Sequence, residues 1–219
     1  MREQFLKLNK KDKGLIVRKA KLAVENCDWA LSMLNQVPTD TIRHAGDLVN
    51  SQYSDFAATL HGDSLYFSSF RFVFEKDTLD PPRPFIKIMK IVDNEDPEVL
   101  DDRFNLPTKH VAHTAFNLDY STVYYTVCDY EKPTEIRCDL YQRKKLFDGT
   151  WGELTMLVIN NKKYTSTQPN VGYDSTAQET RLYFVSNRPS ANKNSSNLDI
   201  WYSRINTDGS LEDPQNFKE

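Results

Sequence analysis

Glycine is scarce, at 7 in 219 residues. A chain this poor in glycine has little with which to build a loop that cradles phosphates, so a nucleotide site is not expected. A basic surplus is missing as well. Lys+Arg 28 against Asp+Glu 31 leaves a formal net charge of −3, which cannot hold a phosphate backbone, and nucleic acid is not expected as a partner. No apolar run approaches the roughly 20 residues that cross a bilayer, so no direct membrane span is expected. Met1-Arg2-Glu3-Gln4 is followed by no apolar core of a secretory signal.

Chemistry-bearing clusters are sparse too. Among the four histidines only His110 and His113 are close, and strand alternation would set a three-residue step on opposite faces. No His/Cys group has ligand spacing, so no metal and no cofactor are expected. Asp93-Asn94-Glu95-Asp96 and Asp101-Asp102 lack the spacing of a calcium loop and read as solvated loops. There is no G-x-S-x-G word. With no acid, base, nucleophile or metal constellation in view, the expectation is that the chain is not an enzyme.

Aromatic residues are plentiful: 3 Trp, 11 Tyr and 12 Phe, 12% of the chain. Rings at this density suit packed β-sheet. The first fifty residues differ. From Leu15 to Leu34 apolar residues recur in steps of three and four, which predicts a helix with Arg18, Lys19 and Lys21 on its polar side and a stop at Pro38. Cys27 lies on that helix and is expected to be buried.

Beyond residue 50 the texture becomes short alternating runs. Leu65-Tyr66-Phe67-Ser68-Ser69, Val123-Tyr124-Tyr125-Thr126-Val127 and Leu182-Tyr183-Phe184-Val185-Ser186 begin at residues 65, 123 and 182, that is 58 and then 59 residues apart. Each has a short strand before it, at Ser54-Asp55-Phe56, His113-Thr114-Ala115-Phe116 and Gln168-Pro169-Asn170-Val171. Each has another after it, at Phe85–Met89, Cys138–Tyr141 and Leu198–Tyr202. Asp148-Gly149-Thr150-Trp151 and Asp208-Gly209-Ser210-Leu211 mark an acidic turn before a possible fourth strand. An ordered set of words seen three times predicts a repeat of three or four antiparallel strands, the unit of a β-propeller. The intervening stretches Phe70–Pro84, Asp129–Arg137 and Asn187–Asn197 read as variable loops.

The words Asn50-Ser51-Gln52-Tyr53-Ser54-Asp55-Phe56, Leu65–Ser69, Leu182–Pro189, Leu198–Tyr202 and Asp213–Phe217 resemble the WD-like repeats of TolB-type propellers. The version they resemble most is that of OmpA-family envelope proteins, where tetratricopeptide helices precede the propeller and a peptidoglycan-binding domain follows. The resemblance implies a mainly β fold: three antiparallel blades of a partial, six-bladed β-propeller behind an N-terminal helix. Residues 1–45 would be the end of a helical region or a linker. Residues 46–219 would be the partial propeller, with blades at 46–106, 107–165 and 166–219. It also implies a periplasmic or outer-membrane-associated location, envelope proteins as partners, and a peptidoglycan-associated complex reached through further domains. A three-blade arc leaves sheet surfaces uncovered, so self-association is expected.

Cys128 and Cys138 stand symmetrically about Pro133. In a hairpin centred there they would face each other within disulfide reach; in a reducing compartment they would be two free thiols. The envelope location implied by the resemblance favours the bridge. Asp55, Asp119 and Asp199 are expected to tie turns through backbone N–H groups. Arg71, Arg83, Tyr130 and Arg188, in or beside the long loops, are the candidates for protein binding. The leading expectation is thus a non-enzymatic protein-binding or scaffolding propeller. The alternative is a glycan-binding or glycan-hydrolysing propeller whose repeated Asp55, Asp119 and Asp174 line the central mouth.

Overall fold

A computed structural model describes residues 10–34, 36–37, 40–74, 76–78, 80–92, 95–132, 135–190 and 197–217. Pro38, Pro133, Asp93-Asn94 and residues 191–196 of the third long stretch lie outside the described residues. The chain divides between His44 and Ala45. Before that point stands one helix, α1 (Lys10–Leu34), which begins five residues ahead of the apolar periodicity. Cys27 is a free, exposed thiol rather than a buried one. The apolar stripe that carries it is itself exposed from Leu22 to Leu34, so no core forms around the sulfur.

After His44 the architecture is β. Blade 1 consists of β1 (Asp55–His61), β2 (Ser64–Val73), β3 (Pro84–Val92) and β4 (Glu98–Val99). Blade 2 consists of β5 (His110–Phe116), β6 (Thr122–Lys132), β7 (Glu135–Lys144) and β8 (Thr155–Met156). Blade 3 consists of β9 (Ser166–Asp174), β10 (Glu179–Ser186), β11 (Asp199–Arg204) and β12 (Gln215–Asn216). Each is a four-stranded antiparallel meander in chain order, and the first strands β1, β5 and β9 lie side by side. The fold is a partial β-propeller of three blades. The outermost strands are two residues long, which leaves little free edge for pairing with other chains.

Alternation in the strand words decides which face meets which blade. Val123, Tyr125 and Val127 on one side of β6 pack with Ile88, Phe104, Val111 and Phe116, between blades 1 and 2. Tyr124 on the other side joins Leu140, Leu182, Phe184 and Trp201, between blades 2 and 3. The second strand of the middle blade, β6, is therefore apolar on both faces, and its word reads as a continuous run.

Two expectations are corrected. Asp129–Arg137 is not a loop. β6 and β7 pair almost to their tip, with Asp129 opposite Arg137, Tyr130 opposite Ile136 and Lys132 opposite Glu135. Cross-strand charges replace the missing apolar contacts: Lys132 Nζ lies 2.8 Å from Glu135 Oε2, and Arg137 pairs with Glu131 across the strands, as well as with Asp139 on its own strand. In addition, His110 and His113 do not face opposite ways. A bulge at His113-Thr114 resets the alternation. Both rings turn to blade 1, His110 5.1 Å from the Phe85 ring and His113 5.3 Å from Phe56.

That bulge recurs in every first strand. Ala57, His113 and Gln168 have φ of 55°, 58° and 55°, in the left-handed region that costs a side-chain-bearing residue about 1 kcal/mol. The strain is compensated across blade junctions. The His113 N–H donates to Ser68 Oγ (3.0 Å), and the Gln168 N–H donates to Thr126 Oγ1 (3.1 Å). One blade's second strand thus supplies the hydroxyl that fixes the next blade's bulge.

Candidate functional site

Cys128 and Cys138 are opposed in the β6–β7 hairpin, their Cα atoms 4.0 Å apart, and the sulfurs are joined. The bridge closes a short loop, which in the chain-entropy account is worth about 2–3 kcal/mol. The Cys128→Ser/Cys138→Ser double variant is expected to lose that much unfolding free energy in urea titrations. Thiol labelling of the native chain should modify Cys27 alone until a reductant is added.

The arginines expected in binding loops are engaged within the fold. Arg71 lies on β2: its Nε donates to Ser69 Oγ (2.6 Å) and its Nη2 to Val49 O (3.0 Å) and Asp55 Oδ1 (2.7 Å). Arg188, just after β10, repeats the arrangement with Ser186 Oγ (3.1 Å), Ile159 O (2.9 Å) and Ser166 Oγ (3.1 Å), its guanidinium over Phe184 and Trp201. The signal in the sequence is the word Ser-x-Arg, present at Ser69-Phe70-Arg71 and Ser186-Asn187-Arg188. In blade 2 the corresponding residue is Asp129, and the disulfide sits beside it. Arg83 is held by Asp77, which accepts from its Nε (2.9 Å) and its backbone N–H (2.8 Å). Tyr130, on β6, places its hydroxyl 3.4 Å from His110 Nε2. The Ile86 N–H donates to His110 Nδ1 (3.2 Å), so the ring proton lies on Nε2, and burial lowers the imidazole pKa.

Other fixing groups carry no obvious sequence signal. Asn105 accepts from the Ile88 N–H (2.8 Å) and donates to Ile88 O (2.8 Å); Asn160 does the same for Leu140 (2.9 and 2.7 Å). Each amide completes the edge of a third strand, one per blade junction. Lys87 is buried and donates from Nζ to the carbonyls of Leu106 (2.5 Å), Pro107 (3.2 Å) and Lys109 (3.0 Å). Burial draws its pKa down to about 8.

The turn aspartates behave in two ways. Asp55 opens β1 and accepts from the Ser51 N–H (2.6 Å) as well as from Arg71. Asp119 accepts from the Ser121 N–H (2.9 Å) in the β5–β6 turn. Asp174 accepts from the Thr176 and Ala177 N–H groups (2.9 and 3.0 Å), and Asp208 from Ser210 (2.8 Å). Asp199 is different: it opens β11 opposite Ser186 and no side-chain bond holds it among the described residues, so turn duty does not fall to it. Asp55 lies at the start of a first strand, whereas Asp119 and Asp174 lie at the far ends of the equivalent strands. The three therefore do not converge on one mouth.

What does converge is a set of hairpin ends. Where β5 turns into β6, β9 into β10 and β11 into β12, a cleft of about 440 Å³ opens between blades 2 and 3. Asn117, Asp119, Lys144, Tyr173, Gln178 and Asp208 line it. Tyr173 is 52% exposed. Its hydroxyl donates to Gln178 Oε1 (3.1 Å), and Gln178 Nε2 donates to Ser175 O (2.6 Å), so the amide is fixed at both ends and the ring is braced. Ser121 N–H and hydroxyl hold the Asp119 carboxyl below its usual range, and Ser210 does so for Asp208. Both are ionised acceptors at neutral pH. Sequence reasoning met Asp119 and the Asp208-Gly209 turn singly. Tyr173 and Gln178 come from a different blade than Asp119, and no local word links them.

No protein-family model matches the chain, and no curated protein matches it. Among solved structures, it is similar to a thermostable family-43 glycoside hydrolase, with 12% identity over 72% of this chain and 50% of that one and a TM-score of 0.41. It is similar to the Cellvibrio cellulosa alpha-L-arabinanase, with 11% identity over 71% and 55% of the two chains and a TM-score of 0.39. A puromycin-hydrolysing peptidase of Mycobacterium tuberculosis shares 12% identity over 78% and 33%, at a TM-score of 0.38. The chain thus spans between a third and about half the length of these proteins. All three are enzymes by name, and the expectation that this chain is not an enzyme is withdrawn on that finding.

Proposed function

We propose that the propeller arc binds glycans in the cleft between blades 2 and 3. The observation that carries this reading is the braced, half-exposed Tyr173 ring beside amides, a lysine and two ionised carboxylates. A sugar offers an apolar C–H face and a rim of hydroxyls. The ring supplies a flat apolar platform, and Asn117, Gln178, Asp119, Asp208 and Lys144 supply acceptors and donors around it. Because Gln178 fixes the ring before a ligand arrives, little side-chain entropy is lost on binding.

The same proposal places the chain in a cell envelope, on the resemblance to TolB-type repeats and on the hairpin disulfide, a bond that persists in oxidising compartments. Docking of envelope proteins through the long-loop side is less well supported, because Arg71, Arg83 and Arg188 are engaged within the fold.

Affinity electrophoresis against a panel of soluble polysaccharides tests the reading, with reducing-end release measured on the same samples to detect hydrolysis. At least one polysaccharide should retard the chain. Tyr173→Ala should weaken that binding tenfold or more, about 1.4 kcal/mol. Retardation by none of the panel, or retardation indifferent to Tyr173→Ala, overturns it.

A further inference from the structure

The charges that line the cleft between blades 2 and 3 are not equivalent. Arg204 and Glu179 face each other at 3.6 Å, and Glu179 also accepts from Arg181 Nε (2.6 Å). Lys144 Nζ lies over the Asp208-Gly209 turn, 3.5 Å from where a Cβ on Gly209 would stand. The Asp208 carboxyl is held low by Ser210 first and by that ammonium as well. These charges are answered within the chain. Asp119 is exposed and bonded only within its own turn: the Ser121 N–H donates to it (2.9 Å), and no lysine, arginine or histidine pairs with it among the described residues. A second feature is independent of that charge. Tyr124 lines the same cleft although it is 1% exposed, its ring packed among Leu140, Leu182 and Trp201. Its hydroxyl has no hydrogen-bond partner among the described residues. Burial, and after it the nearby Asp119 charge, push its pKa up to about 12, so it is a donor at neutral pH.

We propose that the cleft selects glycans carrying a free amino group, with the sugar ammonium on Asp119 and a neighbouring sugar oxygen accepting from the Tyr124 hydroxyl. This selectivity rests on the glycan reading of the cleft. An ammonium has only donors and an ionised Asp119 only acceptors, so their contact is charge-assisted and stronger than the one a neutral hydroxyl makes. The fixed Tyr124 donor costs no side-chain ordering when a ligand arrives, because its ring is already packed. The exposed Tyr173 ring suits the same ligand, since the face of a phenol attracts a cation as well as C–H groups. An acidic glycan is disfavoured: Lys144 is answered by Asp208, and Asp119 repels a second anion.

Calorimetric titration of the full chain with soluble glucosamine oligomers and with the same oligomers N-acetylated, at a pH below the pKa of the sugar amine, tests this. The amino form should bind about tenfold tighter or more. Asp119→Asn keeps an acceptor for the turn and should remove that preference, while Tyr124→Phe should weaken both forms about fivefold. Asp148→Asn takes the same charge from an exposed turn outside the cleft. It should leave the preference intact, which separates the site from general attraction of a polycation to an acidic chain. Equal affinity for the two forms, a preference that survives Asp119→Asn or is lost equally in Asp148→Asn, or binding indifferent to Tyr124→Phe overturns the proposal. Tyr173-dependent binding of neutral polysaccharide with no preference for the amino form would leave the glycan reading standing and sink this one. Binding of neither would sink both.

Discussion

Arg71→Met is expected to remove about 3–5 kcal/mol of unfolding free energy, because it strands a buried carboxylate. The Asp55 side chain is 4% exposed and Arg71 sits 2.7 Å from it. Burial acts to raise the Asp55 pKa, but hydrogen bonds from Arg71, Ser51 and Ser69 together outweigh burial and lower it from 3.8 to about 2. A carboxyl held lower in the folded state than in the unfolded chain stabilises fully above the unfolded value. Its contribution disappears as pH falls through the folded one. For Asp55 the window runs from about pH 4 down to about pH 2, and the linked contribution is about 2 kcal/mol. In Arg71→Met the carboxyl loses its cation while burial remains, so the acid transition should move to higher pH. Asp55→Asn in the same background should recover part of the loss, since an uncharged amide is cheaper to bury than a lone carboxylate. Urea titrations at pH 7 and pH 3 distinguish these outcomes. Equal destabilisation at both would show that the pair acts through shape and not through charge.

The strand words were legible because their physics is local. Leu65–Ser69, Val123–Val127 and Leu182–Ser186 alternate or run apolar over five residues, and all three lie in second strands. The Asp-Gly turns were legible for the same reason. Gly149 and Gly209 take φ of 85° and 79°, and the preceding aspartate accepts the N–H two residues on. The extension of the β6–β7 hairpin was not legible. Asp129–Arg137 is polar, and what pairs it is cross-strand charge and a disulfide that exist only once the register is set. The bulges at Ala57, His113 and Gln168 were hidden because no glycine marks them; a hydroxyl from the preceding blade fixes two of the three.

The candidate site was the least legible part. Asp119 stands out in a sequence as a turn residue, and so does Asp208. The partners that turn them into a cleft with an aromatic wall lie more than fifty residues away from Asp119 along the chain. Arg71 and Arg188 illustrate the converse error. A charged residue beside a polar stretch reads as a surface group, yet the Ser-x-Arg word folds the guanidinium back over the blade, onto carbonyls and rings. Repetition of a charged residue at equivalent places in two repeats is thus a mark of internal duty.

Leu140→Ala should cost about 3–4 kcal/mol and loosen blade 3 selectively. Leu140 is fully buried and packs in one cluster with Tyr124 of its own blade and with Leu182, Phe184 and Trp201 of the next. Truncation removes apolar contacts and leaves a hole that the neighbours cannot fill, because Asn160 clamps the Leu140 backbone at both its N–H (2.9 Å) and its carbonyl (2.7 Å). A clamped strand relaxes little, which puts the cost in the upper part of the range for such truncations. The effect should be directional. Blade 2 keeps its other apolar face, where Val123, Tyr125 and Val127 meet blade 1, while blade 3 loses the centre of its contact with blade 2. Amide exchange in β10 and β11 should therefore quicken by a larger factor than exchange in β2 and β3. Leu146→Ala, at a half-exposed position, should change stability by no more than about 0.5 kcal/mol and serves as the control. Uniform quickening across all three blades would instead mean that the arc unfolds as one cooperative unit, with the junction between blades 2 and 3 no weaker than the blades themselves.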